Sequence, residues 1–207
     1  MIDRLPRLWC IPLNVTEACL HAGSVLARRI PEVVARILAG AGAVDARWAP
    51  LVVEVEEGLG FAVLGIPPDR RELQQHLWDL EGDYLLYGQI ELLGERVWLE
   101  SGLYSGQRDE TLIEPHFRGR PEELLDWLPT WASSLADCVG QRELPWDRSW
   151  LERPVTRDWS AFQNYCEALD LMRKDARRRD WEWRILSRIF DALRADAGFQ
   201  LAAELGG

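Results

Sequence analysis

The sequence predicts an α/β fold: a mixed sheet that ends in an antiparallel three-strand meander flanked by helices, plus a small all-α hairpin at the C-terminal end. Three observations carry this. Residues 83–117, DYLLYGQIELLGERVWLESGLYSGQRDETLIEPHF, alternate with period two. Tyr84, Leu86, Gly88, Ile90 and Leu92 fall on one face, and Leu85, Tyr87, Gln89 and Glu91 on the other. Val97, Leu99, Ser101 and Leu103 likewise oppose Arg96, Trp98, Glu100 and Tyr104, the pattern of half-buried strands. Second, Gly94 supplies a positive φ for a tight turn, and 105–109 is a polar second turn. Third, segments with helical spacing lie on both sides of the meander.

The remaining elements follow in order. Residues 8–13 form a short apolar run and read as a first buried strand. Asn14 or Thr16 caps a helix over 18–38, which Pro31 is expected to break near Arg29 and Ile30, with a second helix over 32–39. Gly40 and Gly42 end it. Residues 48–56 read as a strand because Val52, Val53 and Val55 favour one. Gly58-Leu59-Gly60 reads as a turn, and 61–64 as a short strand or loop. Pro67-Pro68-Asp69 starts a helix whose apolar side is Leu73, Leu77, Trp78 and Leu80, stopped by Gly82. After the meander, Pro121 with Glu122 and Glu123 opens a helix to 139, lined by Leu124, Leu125, Leu128, Trp131, Leu135 and Cys138 or Val139, with Pro129 as a candidate kink. Residues 141–157 hold two prolines and no period, and read as a linker that packs Trp146 and Trp150 onto a neighbour. Asp158 or Ser160 caps the first of two antiparallel helices, 159–174 and 177–194, and a short third helix lies near 198–205.

Composition narrows the function classes. Hydrophobic residues make up 47% of the 207, enough for an ordinary core. The net charge is −10. Residues 1–150 hold 24 acidic and 14 basic side chains, whereas 151–207 hold ten of each. An acidic body repels phosphate backbones, so no nucleic-acid partner is expected. A basic partner fits this charge, and plain solubility explains it too. Eleven tryptophans are many for this length, and some are expected at contact surfaces. There is no CxxC pair, no leader pattern and no run approaching the ~20 apolar residues of a membrane span. A cytoplasmic protein with reduced thiols and no membrane insertion is expected.

The order of elements resembles the TolB amino-terminal-like domain, a small α/β module found beside bacterial signalling, regulator and cyclase domains and in the Tol system. LWCIPL at 8–13 stands for the family's first strand, PEVVARIL at 31–38 for its first long helix, and 69–80 for its second. DYLLYGQI at 83–90 with GERV at 94–97 is similar to the family's "DYVLEGSVRRDGDRVRV". The resemblance covers 6–140 and implies a domain over 1–140. The part after the linker, 158–207, resembles a tetratricopeptide-type hairpin: AFQNY at 161–165 with Ala168-Leu169 for the first helix, and Ala192-Leu193 with 196–202 for the repeat boundary. Ala197 stands where the repeat usually has proline, and only about one repeat is present. Three repeats are normally needed to bury a solenoid core, so the hairpin must dock on the α/β part, pair with another copy or be capped by a partner.

No catalytic, metal or cofactor motif is present. His21, His76 and His116 have no partner at metal-ligand spacing. The carboxylates Glu54, Glu56 and Glu57 read as a solvated strand edge. No GxGxxG, GxxxxGK[ST] or GxSxG occurs. The basic and aromatic cluster Arg177, Arg178, Arg179 and Trp181 reads either as a contact for an acidic partner or as an exposed helix start bridging to the acidic body. Trp183, Leu186, Ile189, Phe190 and Leu193 share one apolar helix face, which places Trp183 in the core. The expectation is a non-enzymatic interaction or scaffold module that binds a protein partner or itself, through Trp146, Trp150, Arg177, Arg178, Arg179 and Trp181. The alternative is a sensing domain that takes a small molecule near the meander.

Overall fold

The computed structural model describes residues 4–16, 20–50, 52–55, 58–61, 65–139, 147–152, 155–173 and 180–206. A mixed sheet organises them. Strands β1 (Arg7–Cys10), β2 (Asn14–Val15), β3 (Asp45–Trp48) and β6 (Tyr84–Leu93) run parallel: β1 pairs with β3 and β6, and β2 continues beside β6. From β6 onward the sheet is antiparallel, through β7 (Arg96–Ser105) to β8 (Glu110–Ile113) and β9 (His116–Gly119). A separate hairpin joins β4 (Val52–Val55) and β5 (Gly58–Phe61). This is the predicted α/β class with its mixed sheet.

The meander follows the period-two reading closely. Leu86, Ile90, Val97, Leu99 and Leu103 sink into the main core, and Leu85 and Tyr104 into a smaller core on the opposite face. Gly94 turns the β6–β7 hairpin at φ +62°. The third run is two strands, split at Glu114 and Pro115, because proline lacks the N–H a ladder needs. Ser101 exploits the break: its N–H and its hydroxyl both donate to the Pro115 carbonyl, each at 3.0 Å.

Helices α1 (Leu20–Ala41) and α3 (Pro121–Val139) cover one face of the sheet, and α2 (Arg70–Asp79) covers part of the other. Asp69 caps α2 in a reciprocal box with Glu72, as Pro67-Pro68-Asp69 foretells. Trp78 faces solvent instead of joining Leu73 and Leu77 in the core. On α3, Val139 rather than Cys138 is buried, and Trp127 stacks on Trp131 at a centroid distance of 5.1 Å and meets Phe117 in a tilted contact at 5.5 Å.

Three expectations are corrected, the first being that Gly58-Leu59-Gly60 is a turn: these residues belong to β5 and pair with β4. α1 runs unbroken through Pro31. Proline removes the hydrogen bond that would reach the Ala27 carbonyl. The Leu13 N–H, arriving from the strand layer, fills that vacancy at 2.9 Å. The strand expected at 48–56 is two elements in different sheets, β3 before Ala49-Pro50 and β4 after it.

At the C-terminal end, α4 (Ser149–Glu152) lies within the segment read as a linker. α5 (Trp159–Arg173) and α6 (Asp180–Ala195) form an antiparallel pair closed by α7 (Gln200–Gly206). Asp158 caps α5 by accepting from the Ala161 N–H at 2.7 Å. Phe162, Tyr165, Leu169, Phe199 and Ala202 join the same core as the sheet, so this helical unit docks on α1 and α3.

Candidate functional site

Of the residues expected to contact a partner, Trp146, Arg177, Arg178 and Arg179 lie outside the described residues, as do Glu56 and Glu57. Trp150 falls in α4 and Trp181 in α6, while their side chains, like that of Glu54 in β4, are outside the description. The informative surface is the rest of α6. Its buried line is Ile189 and Ala192, with Ile185 and Leu193 half-buried against α5 and α7. Its solvent side carries Trp183, Leu186 and Phe190. Trp183 is 77% exposed and Phe190 62%. The core placement of Trp183 is therefore corrected.

Helix geometry explains the split. At about 100° per residue, positions 183, 186 and 190 fall within roughly 60° of arc, next to the arc of 185, 189 and 193. The apolar band of α6 is thus about half a turn wide. α5 and α7 cover one half of it. The other half is an aromatic stripe in water, with exposed Arg194 about 20° beyond Trp183 on its edge. Arg188 is held to Glu167 at 2.8 Å and to Asn164 at 3.0 Å. Beside Trp183 a groove of about 520 Å³ runs between α5 and α6, with Val25 and Leu171 in its floor.

A second concavity lies on the meander, where α2 leaves the sheet uncovered. It measures about 340 Å³ and is lined by Tyr87, Gln89, Glu100, Gly102 and His116 among others. Gly102 makes room for the Tyr87 ring: a Cβ there would sit 2.4 Å from it. The Tyr87 hydroxyl bonds Thr111, and Gln89 donates to Glu100 at 2.6 Å. Nearby, Asp109 sits at φ +55° in the β7–β8 turn and accepts from Arg70, Tyr104 and Gln74. The Arg70 and Tyr104 hydrogen bonds hold its carboxyl well below the usual range.

The thiols of the three described cysteines resist ionisation. Burial pushes the thiols of Cys10 and Cys166 far up, and burial with the neighbouring Asp137 raises Cys138. Among the described residues, no group of three His, Cys, Asp or Glu side chains is placed to hold a metal, and no helix is long and apolar enough to cross a membrane.

A third feature was invisible to sequence reading. Between α1 and α5 lies a buried charge network. Asp170 accepts from Arg28 at 2.9 and 3.1 Å and from Arg29 at 3.1 and 3.0 Å. Glu32 accepts from Arg29 at 2.6 Å, from Arg173 at 3.2 Å and from Arg36 at 3.4 Å. The Arg29 guanidinium lies 4.5 Å over the Trp48 ring.

No protein-family model matches the sequence, and no curated protein matches it. Among solved structures the chain is similar to a PelC dodecamer from Paraburkholderia phytofirmans, with 14% identity over 67% of this chain and 84% of that one, at a TM-score of 0.38. It is similar to TolB from Acinetobacter baumannii, with 16% identity over 65% of this chain and 28% of that one, at a TM-score of 0.38. The LpoB C-terminal domain from Salmonella enterica is similar with 14% identity, over 57% of this chain and 86% of that one, at a TM-score of 0.37. At such identities and TM-scores the likeness concerns the course of the chain and transfers no activity.

Proposed function

We propose that this chain is a non-enzymatic interaction module whose contact surface is the outer face of α6. One observation carries the reading: Trp183, Leu186 and Phe190 stand together in solvent on a helix whose other side is well packed. A contiguous apolar patch with a polar rim is the anatomy of a protein contact, and tryptophan is enriched among residues that dominate binding energy. The α5–α6 pair then acts as a tetratricopeptide-type hairpin whose open side takes a protein partner or a second copy. The buried, poorly ionised thiols of Cys10 and Cys166 fit a non-enzymatic role.

The test compares the wild type with Trp183→Ala and with a Trp183→Asp/Phe190→Glu double variant. All three should unfold at similar urea concentrations, because the replaced side chains lie in solvent. Sedimentation velocity and affinity capture should show an association in the wild type that Trp183→Ala weakens about thirtyfold and the double variant abolishes. A monomeric wild type whose captured proteins are the same as those of the double variant would sink the proposal.

The meander hollow favours a second reading, a small-molecule sensor. A thermal-shift screen against nucleotides and metabolites separates the two. A hit abolished by Gln89→Leu and indifferent to Trp183→Asp would transfer the function to the sheet face.

A further inference from the structure

The sheet face that α2 leaves uncovered carries a polar row across four strands. In register, Asn14 of β2 lies beside Gln89 of β6, Gln89 beside Glu100 of β7, and Glu100 beside His116 of β9. Residues paired across strands send their side chains to the same face. The Gln89 amide nitrogen donates to Oε2 of Glu100 at 2.6 Å, which leaves Oε1 of Glu100 and the amide oxygen of Gln89 as acceptors. At the inner end of the row, Asn14 is 2% exposed, and neither polar atom of its amide has a hydrogen-bond partner among the described residues. The row therefore ends on a buried polar group whose hydrogen bonds are still to be made.

The hollow of about 340 Å³ lies against this row. Specific contacts set its walls. The Tyr87 hydroxyl is tied to Thr111 at 2.9 Å, and its ring lies over Gly102, where any side chain would collide with it. Pro115 interrupts the edge of the sheet, and Ser101 fixes its carbonyl with two hydrogen bonds. Tyr87 and Pro115 thus give fixed apolar surfaces, while Gln89, Glu100 and Glu114 give acceptor oxygens. None of the described residues that line the hollow is a lysine or an arginine, and His116 is the one basic side chain among them. The two carboxylates set the sign of the local field, and the net charge of −10 adds to it.

We propose that the meander hollow binds a small primary amine, with its ammonium on Glu100 and its carbon body against Tyr87 and Pro115. An ammonium carries three donors and no acceptor, which matches a set of acceptor oxygens from Gln89, Glu100 and Glu114. Its hydrogen bonds to carboxylate are the charge-assisted kind. The Tyr87 ring adds an attraction for positive charge through its quadrupole. The volume lies near the lower end of small-molecule pockets, about 300–1,000 Å³, so the carbon body is short. This assignment rests on the sensing reading of the hollow and names its ligand class; it does not depend on the contact at α6.

The experiment titrates three molecules of one shape and different charge into the full chain: phenethylamine, 2-phenylethanol and phenylacetate. Backbone amide NMR reads both affinity and place. Phenethylamine should give saturable shifts at 87–89, 100–102 and 114–116. The neutral alcohol should bind at least about tenfold more weakly, and the acid should leave these residues unmoved. Glu100→Gln should weaken the amine by about tenfold to a hundredfold, the worth of one charge-assisted hydrogen bond. The control is Glu91→Gln, which removes the same charge from the same face of β6 outside the hollow and should change affinity less than about threefold. Equal binding of amine and alcohol overturns the proposal, as does amine affinity that survives Glu100→Gln. Binding of phenylacetate or of a nucleotide in place of the amine overturns the ligand class and leaves the sensing reading standing. Shifts at these residues with none of these molecules sink both.

Discussion

Replacing Asp170 with Asn removes one negative charge from the centre of the buried network and leaves its shape intact. Asp170 is buried and accepts four hydrogen bonds from Arg28 and Arg29. An asparagine offers one acceptor oxygen and turns an N–H₂ donor toward guanidinium donors. Arg29, fully buried, would then lose two of its charge-assisted hydrogen bonds and keep that to Glu32. Breaking a buried pair from one side costs about 3–5 kcal/mol, because the remaining charge stays desolvated. Against a typical stability of roughly 5–15 kcal/mol, that is a large loss. At about 2–4 °C per kcal/mol for a chain of this size, the melting temperature should drop by roughly 6–20 °C. The internal control is Glu167→Gln. Glu167 pairs with Arg188 at 2.8 Å, but both side chains are more than 40% exposed, so its loss should cost under about 1 kcal/mol. Urea unfolding followed by far-UV circular dichroism gives both numbers. If Asp170→Asn costs no more than Glu167→Gln, with equal m-values, the network does not hold the helical unit on α1 and the reasoning fails.

Other consequences can be checked the same way. Asp109 has a depressed folded-state pKa, so its stabilising effect is full above the ordinary carboxylate pKa and is lost as pH falls toward the folded value. Asp109→Asn, which tolerates the left-handed backbone, should melt below the wild type at pH 7, and the gap should close as the pH is lowered from 5 to 2. Gly102→Ala drives a Cβ into the Tyr87 ring and should cost about 1–3 kcal/mol in urea unfolding, with relief in a Tyr87→Ala background. Asn14 is 2% exposed and neither its amide oxygen nor its nitrogen has a hydrogen-bond partner among the described residues, so Asn14→Leu should raise stability by about 1–3 kcal/mol. A drop in the urea midpoint would show that the amide is satisfied.

The parts that sequence reading recovers are those set by local pattern. The two faces of the meander, the turn at Gly94, the cap at Asp69 and the apolar stripe of α3 each arise from residues a few positions apart. What it misses depends on partners far along the chain. β3 is the tetrapeptide DARW, whose strand state comes from parallel pairing with β1 and not from its own preference. The band on α6 is legible as apolar, but where the line between wet and dry falls depends on how α5 and α7 approach it. Arg28, Arg29, Glu32 and Arg36 look like an ordinary charged helix face until α5 brings Asp170 and Arg173 from more than 130 residues away.

The bond from Leu13 to the Ala27 carbonyl has a consequence for how this molecule assembles. A helix with an internal proline is a poor autonomous folder, because one rung of its ladder is missing in isolation. Here the missing rung comes from outside, so the middle of α1 completes its hydrogen bonding only when the first strands are in place. The same rung fixes how far α1 can slide or rotate over the sheet. Proline at this position therefore acts as a key: it trades local autonomy for register, and makes helix and sheet a single cooperative unit.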